Sequence, residues 1–328
     1  MGAVMVDVVH IQRFGDIEQL CVKDIQVGEP TEGQVRLKHY AIGVNPLDIS
    51  QRRGEVNISL PSGLGLEGAG IVEAVGPNVT NVRVGDRVAY AMGPIGSYAG
   101  ARLYPAERLV VLPETMSFEK AAAVLFKGLT AQYLLKTTYP VTSGTTVMLY
   151  GAAGGVGQLM ASWAKHLGAL VIGVVSKESS IQRARAAGCD HVFVFDSMTL
   201  ATNVQAVTGG RKADVVYDPI GKLTFATSLD CLRVRGLMVS FGITGGVPDP
   251  VAIGTLNAKG SLYLTRPSLA AHTATVAAYQ ERAADVLDAV EKGIIKPHVA
   301  KTYPLKEVAK AHNYIENGCA SGSIVLMP

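Results

Sequence analysis

The run Val147-Met148-Leu149-Tyr150-Gly151-Ala152-Ala153-Gly154-Gly155-Val156-Gly157 constrains this chain more than any other. An apolar, strand-like segment enters a cluster of glycines, and an apolar helical pattern (Leu159, Met160, Trp163, Ala164, Leu167) leaves it. That order is the layout of a dinucleotide-binding turn. Glycines let the backbone approach a pyrophosphate, and the helix N-terminus offers unpaired N–H groups and a positive partial charge. The strict G-x-G-x-x-G spacing fails at its first position, where Ala152 precedes Gly154 and Gly157. The flanking strand and helix carry the assignment despite that departure.

Around this turn the chain changes rhythm twice. Up to about residue 125 it alternates short strand-like runs with glycine turns, as in Gln34–Lys38, Ala69–Gly76 and Gly85–Tyr90, which predicts a β-rich, barrel-like unit. From about Lys127 strands alternate with helices. Strands are expected at 145–150, 170–175, 191–195, 213–218, 236–241 and 261–265, with helical patterns between them, such as Ser180–Ala187 closing on Gly188. Six strands with helical crossovers make a doubly wound parallel sheet. A helix pattern over about 269–292 and a last strand, Ser323–Met327, return to the first character. The expected architecture is α/β, a Rossmann doubly wound parallel sheet inserted in a discontinuous β-barrel domain. Its parts are 1–126, 127–266 and 267–328.

Composition excludes several classes. With 328 residues, 48% hydrophobic and 17% charged, the chain can bury a large core in two domains and shows no signature of disorder. Its formal net charge of +3 is small and its basic residues are scattered, which argues against a nucleic-acid or acidic-membrane partner. No run reaches the length of a membrane span, and Asp7 interrupts the first apolar stretch too early for a secretory signal. The cysteines Cys21, Cys189, Cys231 and Cys319 share no pair spacing, so neither a zinc lobe nor a disulfide framework is expected. A cytoplasmic setting follows.

The second strand of such a sheet selects the cofactor. An acidic residue at its end takes the ribose hydroxyl of NAD, whereas NADP sites supply hydroxyls and cations. Here Val171–Val175 ends in Ser176 and Lys177, with Arg183 and Arg185 nearby, so NADPH is expected. Glu178 keeps NADH as the lesser alternative. Ser176 or Ser179 as a plain helix cap beside a solvated Lys177 is the competing reading.

Joined to Ala41–Asp48, Leu64–Gly70 and Gly85–Val88, the glycine turn resembles the medium-chain dehydrogenase/reductase superfamily with its GroES-like catalytic domain. Lys127–Ala131, Gly236–Gly242 and Leu264–Leu269 narrow the resemblance to the zinc-free quinone oxidoreductases, the zeta-crystallin-like branch. Zinc-dependent relatives carry ligands where this chain has Asn45, Leu66 and, near Thr130, Phe126; these three side chains cannot build a catalytic zinc site, and no metal is expected.

The resemblance implies residue roles. Asn45, Asp48, Lys127 and Thr130 would face the nicotinamide end, with Ser323 as a further contact. Ala153, Gly154, Gly155 and Val156 would meet the pyrophosphate. Gly173, Ser176 and Lys177 would hold the adenosine 2′-phosphate side. Phe241, Gly242 and Ile243 would pass the adenine and nicotinamide ribose, and Leu264 with Arg266 would close over the nicotinamide. The family pattern is broken at Ser50 and Val56, where tyrosines would sandwich a quinone, and at Phe195, where a tyrosine would reach the phosphate. Asp196 adds a negative charge there.

A quinone needs a hydride and a solvent proton, so the candidate catalytic residues Asn45, Asp48 and Lys127 act as positioners. The bland alternatives are a turn residue before Pro46 for Asn45, a helix cap for Asp48 and a surface lysine for Lys127. The expected function is NADPH-dependent reduction of a small-molecule quinone. The alternatives are enal or enone reduction, which the missing tyrosines would suit, and a cofactor-gated RNA-binding or structural crystallin-like role. The edge segment 261–265 predicts a homodimer, since pairing with its twin covers an apolar strand edge.

Overall fold

The computed structural model describes residues 2–328. The chain opens with two antiparallel strands, β1 (Val4–Ile11) and β2 (Cys21–Val27), then the long β3 (Gln34–Val44) and the helix α1 (Pro46–Arg53). β4 (Ser62–Gly63), β5 (Glu67–Val75), β6 (Arg87–Ala91), β7 (Ala101–Pro105) and β8 (Val110–Val111) follow, and α2 (Phe118–Tyr133) comes next.

From there strands and helices alternate: β9 (Thr146–Tyr150), α3 (Gly155–His166), β10 (Leu170–Val175), α4 (Ile181–Ala186), β11 (His191–Val194), α5 (Leu200–Val207), β12 (Ala213–Asp218), α6 (Phe225–Asp230), β13 (Leu232–Ser240), α7 (Ile253–Ala258) and β14 (Tyr263–Thr265). The chain closes with α8 (Leu269–His272), α9 (Val276–Glu291), β15 (Val299–Pro304), α10 (Val308–Glu316) and β16 (Ser323–Met327).

Two compact units result. The first holds the chain up to Lys127 with Ala274–Leu287 and Pro297–Pro328; the second holds Gly128–Thr273 with Asp288–Lys296. In the first, a three-stranded sheet (β2-β1-β4) accompanies a seven-stranded one in which β16 runs antiparallel to β3. Val9, Ile42, Val44, Tyr98, Leu305 and Ile324 lie in one core cluster, so the C-terminal segment completes this unit.

The second unit is a six-stranded parallel sheet in the order β11-β10-β9-β12-β13-β14. This is the doubly wound arrangement, in which the strand order reverses beside the first strand. Every residue of β9 and β12 is buried, as strands covered on both faces require, and apolar runs (Val147-Met148-Leu149 and Val215-Val216) form their middles.

The helix expected over about 269–292 is broken between α8 and α9, and two strands differ from expectation by more than one residue. β13 begins at Leu232, four residues before the expected 236, with a register shift against β12 between Ala213 and Val215. β14 starts at Tyr263 rather than 261. Ser261 takes a left-handed backbone (φ 54°), and Leu262 N donates to Leu256 O, so both belong to the turn that closes α7. No helix among the described residues is long and apolar enough to cross a membrane. Nor is any group of three or more His, Cys, Asp or Glu residues placed among them to hold a metal ion.

Candidate active site

In the first unit the site is built on the turn from β3 into α1. Asn45 is extended (φ −127°, ψ 151°) and caps α1, with Pro46 preset for the first helical turn. The cap is made by Asp48, whose Oδ2 accepts from the Asn45 backbone N–H at 2.9 Å. The Asp48 N–H is taken by the Asn45 carbonyl at 3.0 Å, and the Asn45 side chain has strong partners away from the helix. Its Oδ1 accepts from Lys127 Nζ at 2.9 Å, and its Nδ2 donates to Glu67 Oε2 at 3.1 Å. Glu67 Oε1 accepts from the Phe126 N–H at 2.7 Å, and Lys127 Nζ stands 3.6 Å from Oε2.

These partners fix the amide's orientation, because an ammonium can only donate and a carboxylate only accept. Asn45, Glu67 and Lys127 are all buried. Burial pushes the Glu67 carboxyl up from the ordinary carboxylate range, and the charge of Lys127, with the bonds from Phe126 and Asn45, opposes that. The set pairs one cation with one carboxyl through the Asn45 amide. It also excludes any side chain at position 43, where a Cβ would lie 2.2 Å from Glu67 Oε2 and 2.3 Å from Ala122 O.

Asp48 is wholly buried and belongs to a second chain of contacts. Tyr98 OH lies 2.8 Å from Asp48 Oδ2 and 3.0 Å from His312 Nε2. His312 Nδ1 lies 3.1 Å from an Arg52 guanidinium nitrogen, and Arg52 forks onto Glu316 at 3.2 and 2.8 Å. Among the described residues, Asp48 Oδ1 has no hydrogen-bond partner. Burial pushes the Asp48 carboxyl up to about 7, against the opposing bonds from Asn45 and Tyr98 and the charge of Lys127. Burial, with Arg52 beside it, holds His312 down at about 3, so its ring is neutral.

Ser50 and Val56 meet at the end of α1, where Val56 N donates to Ser50 O at 3.2 Å and Ser50 Oγ donates to Glu55. Ser323 Oγ donates to Ala123 O at 2.7 Å, tying β16 to α2.

In the second unit the remaining candidates fall at the carboxyl ends of the parallel strands, apart from Thr130, which is buried within α2, and two that lie inside strands. Ala153, Gly154, Gly155 and Val156 follow β9; Ser176 and Lys177 follow β10; Phe195 follows β11; Phe241, Gly242 and Ile243 follow β13; Arg266 follows β14. Gly173 and Leu264 are the two inside strands, in β10 and β14.

Gly154 caps α3 without a side chain, and the first bond into the helix is Gln158 N to Gly154 O. The N–H groups of Gly155, Val156 and Gly157 therefore lack a preceding turn to receive them. A Cβ at Gly157 would lie 2.1 Å from Gly151 O, so the turn can fold onto its helix only with glycine there. Ser176 and Lys177 are exposed, and the Phe195 ring packs edge-on to Tyr150 at 5.9 Å. Arg266 donates to the carbonyls of Ser240 and Gly242, bracing the end of β13.

Sequence reading missed Glu67, Tyr98, His312, Arg52 and Glu316. Glu67 carried a signal, a lone carboxylate inside the small-residue run Leu64–Gly70. The other four are scattered from 52 to 316 and come together only through the packing of α10 in this unit.

Residues 31–114 match the family described as an alcohol dehydrogenase GroES-like domain, and residues 155–290 the family described as zinc-binding dehydrogenase. A quinone oxidoreductase of Pseudomonas aeruginosa is 43% identical over 98% of this chain and 99% of its own. A 2-haloacrylate reductase of a Burkholderia species is 42% identical over 99% of each. The solved structure of Escherichia coli quinone oxidoreductase complexed with NADPH superposes with a TM-score of 0.95. It is 40% identical, and the match covers 98% of this chain and all (100%) of the other.

Proposed function

The chain belongs to the quinone oxidoreductase family of the medium-chain dehydrogenase/reductase superfamily, and from that premise we propose that it is an NADPH-dependent quinone reductase that works without metal. The observation that carries this reading is the Asn45–Glu67–Lys127 set, which is buried and held together by mutual hydrogen bonds and an ion pair. Such a set orients and does not react, which suits an acceptor that needs only a hydride and a proton from water.

The second unit fits a dinucleotide phosphate. The open N–H groups at the start of α3, in a turn that Gly157 lets fold closely onto that helix, make an anion cradle. In this reading Ala153, Gly154, Gly155 and Val156 hold the pyrophosphate, and Gly173, Ser176 and Lys177 the 2′-phosphate side. Phe195, Phe241, Gly242, Ile243, Leu264 and Arg266 line the remaining length. Asn45, Lys127, Thr130 and Ser323 face the nicotinamide, and Asp48, Ser50 and Val56 the acceptor. NADPH supplies the hydride when bound. Asn45 holds its amide in one orientation, Lys127 and Glu67 keep it there, and Asp48 fixes the backbone turn that presents it.

A second reading, reduction of enals or enones, is favoured by the absence of aromatic rings at Ser50 and Val56 and by the likeness to a protein named 2-haloacrylate reductase. The reading also includes a homodimer through the edge of β14, where Tyr263 and Leu264 are exposed, and a reducing, cytoplasmic setting, in keeping with four free cysteines. The test is oxidation of NADPH and NADH by the purified protein against panels of quinones and enals, with and without a chelator. NADPH-dependent quinone turnover that resists the chelator is expected. Turnover of enals with no quinone reduced would replace this reading with the second, and loss of activity on chelation would overturn the metal-free part.

A further inference from the structure

The contacts from Arg52 to Asp48 admit only one arrangement of protons. Arginine cannot accept, so the Nδ1 of His312, facing it at 3.1 Å, must be the bare nitrogen. The neutral ring then carries its proton on Nε2 and donates it to the Tyr98 oxygen. That leaves the Tyr98 hydroxyl proton for Asp48 Oδ2, which also accepts from the Asn45 N–H. Every hydrogen bond in the series runs toward Asp48 from a permanent cation. Oδ2 is filled by two donors whatever the charge of the carboxyl, so a proton taken up by Asp48 must sit on Oδ1, which is buried without a partner.

We propose that Tyr98 and His312 are positioning residues for this reductase: they keep Asp48 a carboxylate that clamps the Asn45 turn, and so set the acid limit of turnover. The inference rests on the reductase reading above. Bonds to an ionised acceptor are about twice as strong as neutral ones, so a proton on Oδ1 slackens the clamp on the residue that Lys127 and Glu67 hold on its other side. The charged and titratable groups facing Asp48 are Lys127 of α2, Glu67 of β5 and Tyr98 between β6 and β7, and behind Tyr98 stand His312 of α10 and Arg52 of α1. Tyr98 makes the direct bond.

The experiment is the pH profile of kcat/KM for a quinone with NADPH, beside isotope-edited infrared titration of the Asp48 carboxyl assigned by difference from Asp48→Asn. In the wild type both should fall together, with activity lost as pH drops through about 7. Tyr98→Phe removes a donor that favours the anion and should move both upward by about one pH unit, a tenfold change in the ratio of ionised to protonated carboxyl. His312→Phe should do the same. His312→Gln should keep the wild-type profile, because its carbonyl can accept from Arg52 while its amide donates to Tyr98.

Thermal melts check that each variant is folded, and the wild-type comparison stands if one is not. An activity limb that does not coincide with the Asp48 titration, or an unmoved limb in a folded Tyr98→Phe protein, would overturn the proposal. A carboxyl titration that shifts as expected in a protein turning over no quinone would instead overturn the reductase reading and leave the hydrogen-bond series standing.

Discussion

Gly43 leaves no space for a methyl group between the Glu67 carboxylate and the Ala122 carbonyl. Gly43→Ala must push apart β3, β5 and α2 or break the Asn45–Glu67 bond. It should cost about 2 kcal/mol or more in denaturant unfolding and lower quinone turnover in the fraction that folds. Lys177 tests the other end of the proposed site. Its side chain is exposed, and Lys177→Ala should raise the KM for NADPH about tenfold while changing that for NADH less than about twofold, since only the former carries the 2′-phosphate. Steady-state kinetics with both cofactors would decide, and equal effects would remove Lys177 from the phosphate site. At this scale the family resemblance singled out Asn45, Asp48 and Lys127, which local chemistry alone leaves as readily a turn residue, a helix cap and a surface lysine. Tyr98 and His312 were not legible, because nothing within several residues of either foretells a bond across 214 positions.

The central strands β9, β10 and β12 could be read from the chain because each has an apolar middle, and burial on both faces writes that pattern strongly. The limits of β13 and β14 could not, since they depend on a register shift and a left-handed residue that tertiary packing imposes. The sheet ends on one side at β14, with Tyr263 56% and Leu264 37% exposed and Val234 67% exposed on neighbouring β13. An apolar edge of this kind invites a second strand. If that partner is a second copy, Leu264→Lys should shift the protein from dimer to monomer in sedimentation at micromolar concentration, without change in the far-ultraviolet circular dichroism. A wild-type protein that sediments as a monomer would remove the dimer from the reading.

Across the whole molecule, the two histidines with lowered proton affinity through deep burial both lie in the first unit. His39 sits between Ala99 O at 2.7 Å and Tyr90 OH at 2.9 Å, and burial holds it at about 3. The unfolded chain protonates these rings from about 6.5 downward, whereas the folded unit refuses the proton until about 3. Their contribution to stability is therefore present at neutral pH and is lost progressively as pH falls across that window. Asp48, raised to about 7, acts in the opposite sense, binding its proton sooner in the folded state. His39→Gln should make the stability-versus-pH curve between 6.5 and 3 shallower by one proton, about 1.4 kcal/mol per pH unit, in unfolding titrations. A curve parallel to that of the wild type would show that His39 takes up its proton without unfolding.

The residues proposed to choose the cofactor and those proposed to orient the chemistry occupy different compact units: Ser176 and Lys177 follow β10, whereas Asn45, Glu67 and Lys127 meet around α1. Heritable change at one therefore need not be compensated at the other, and a lineage could exchange NADPH for NADH through the turn after β10 while its reaction centre stayed as it was.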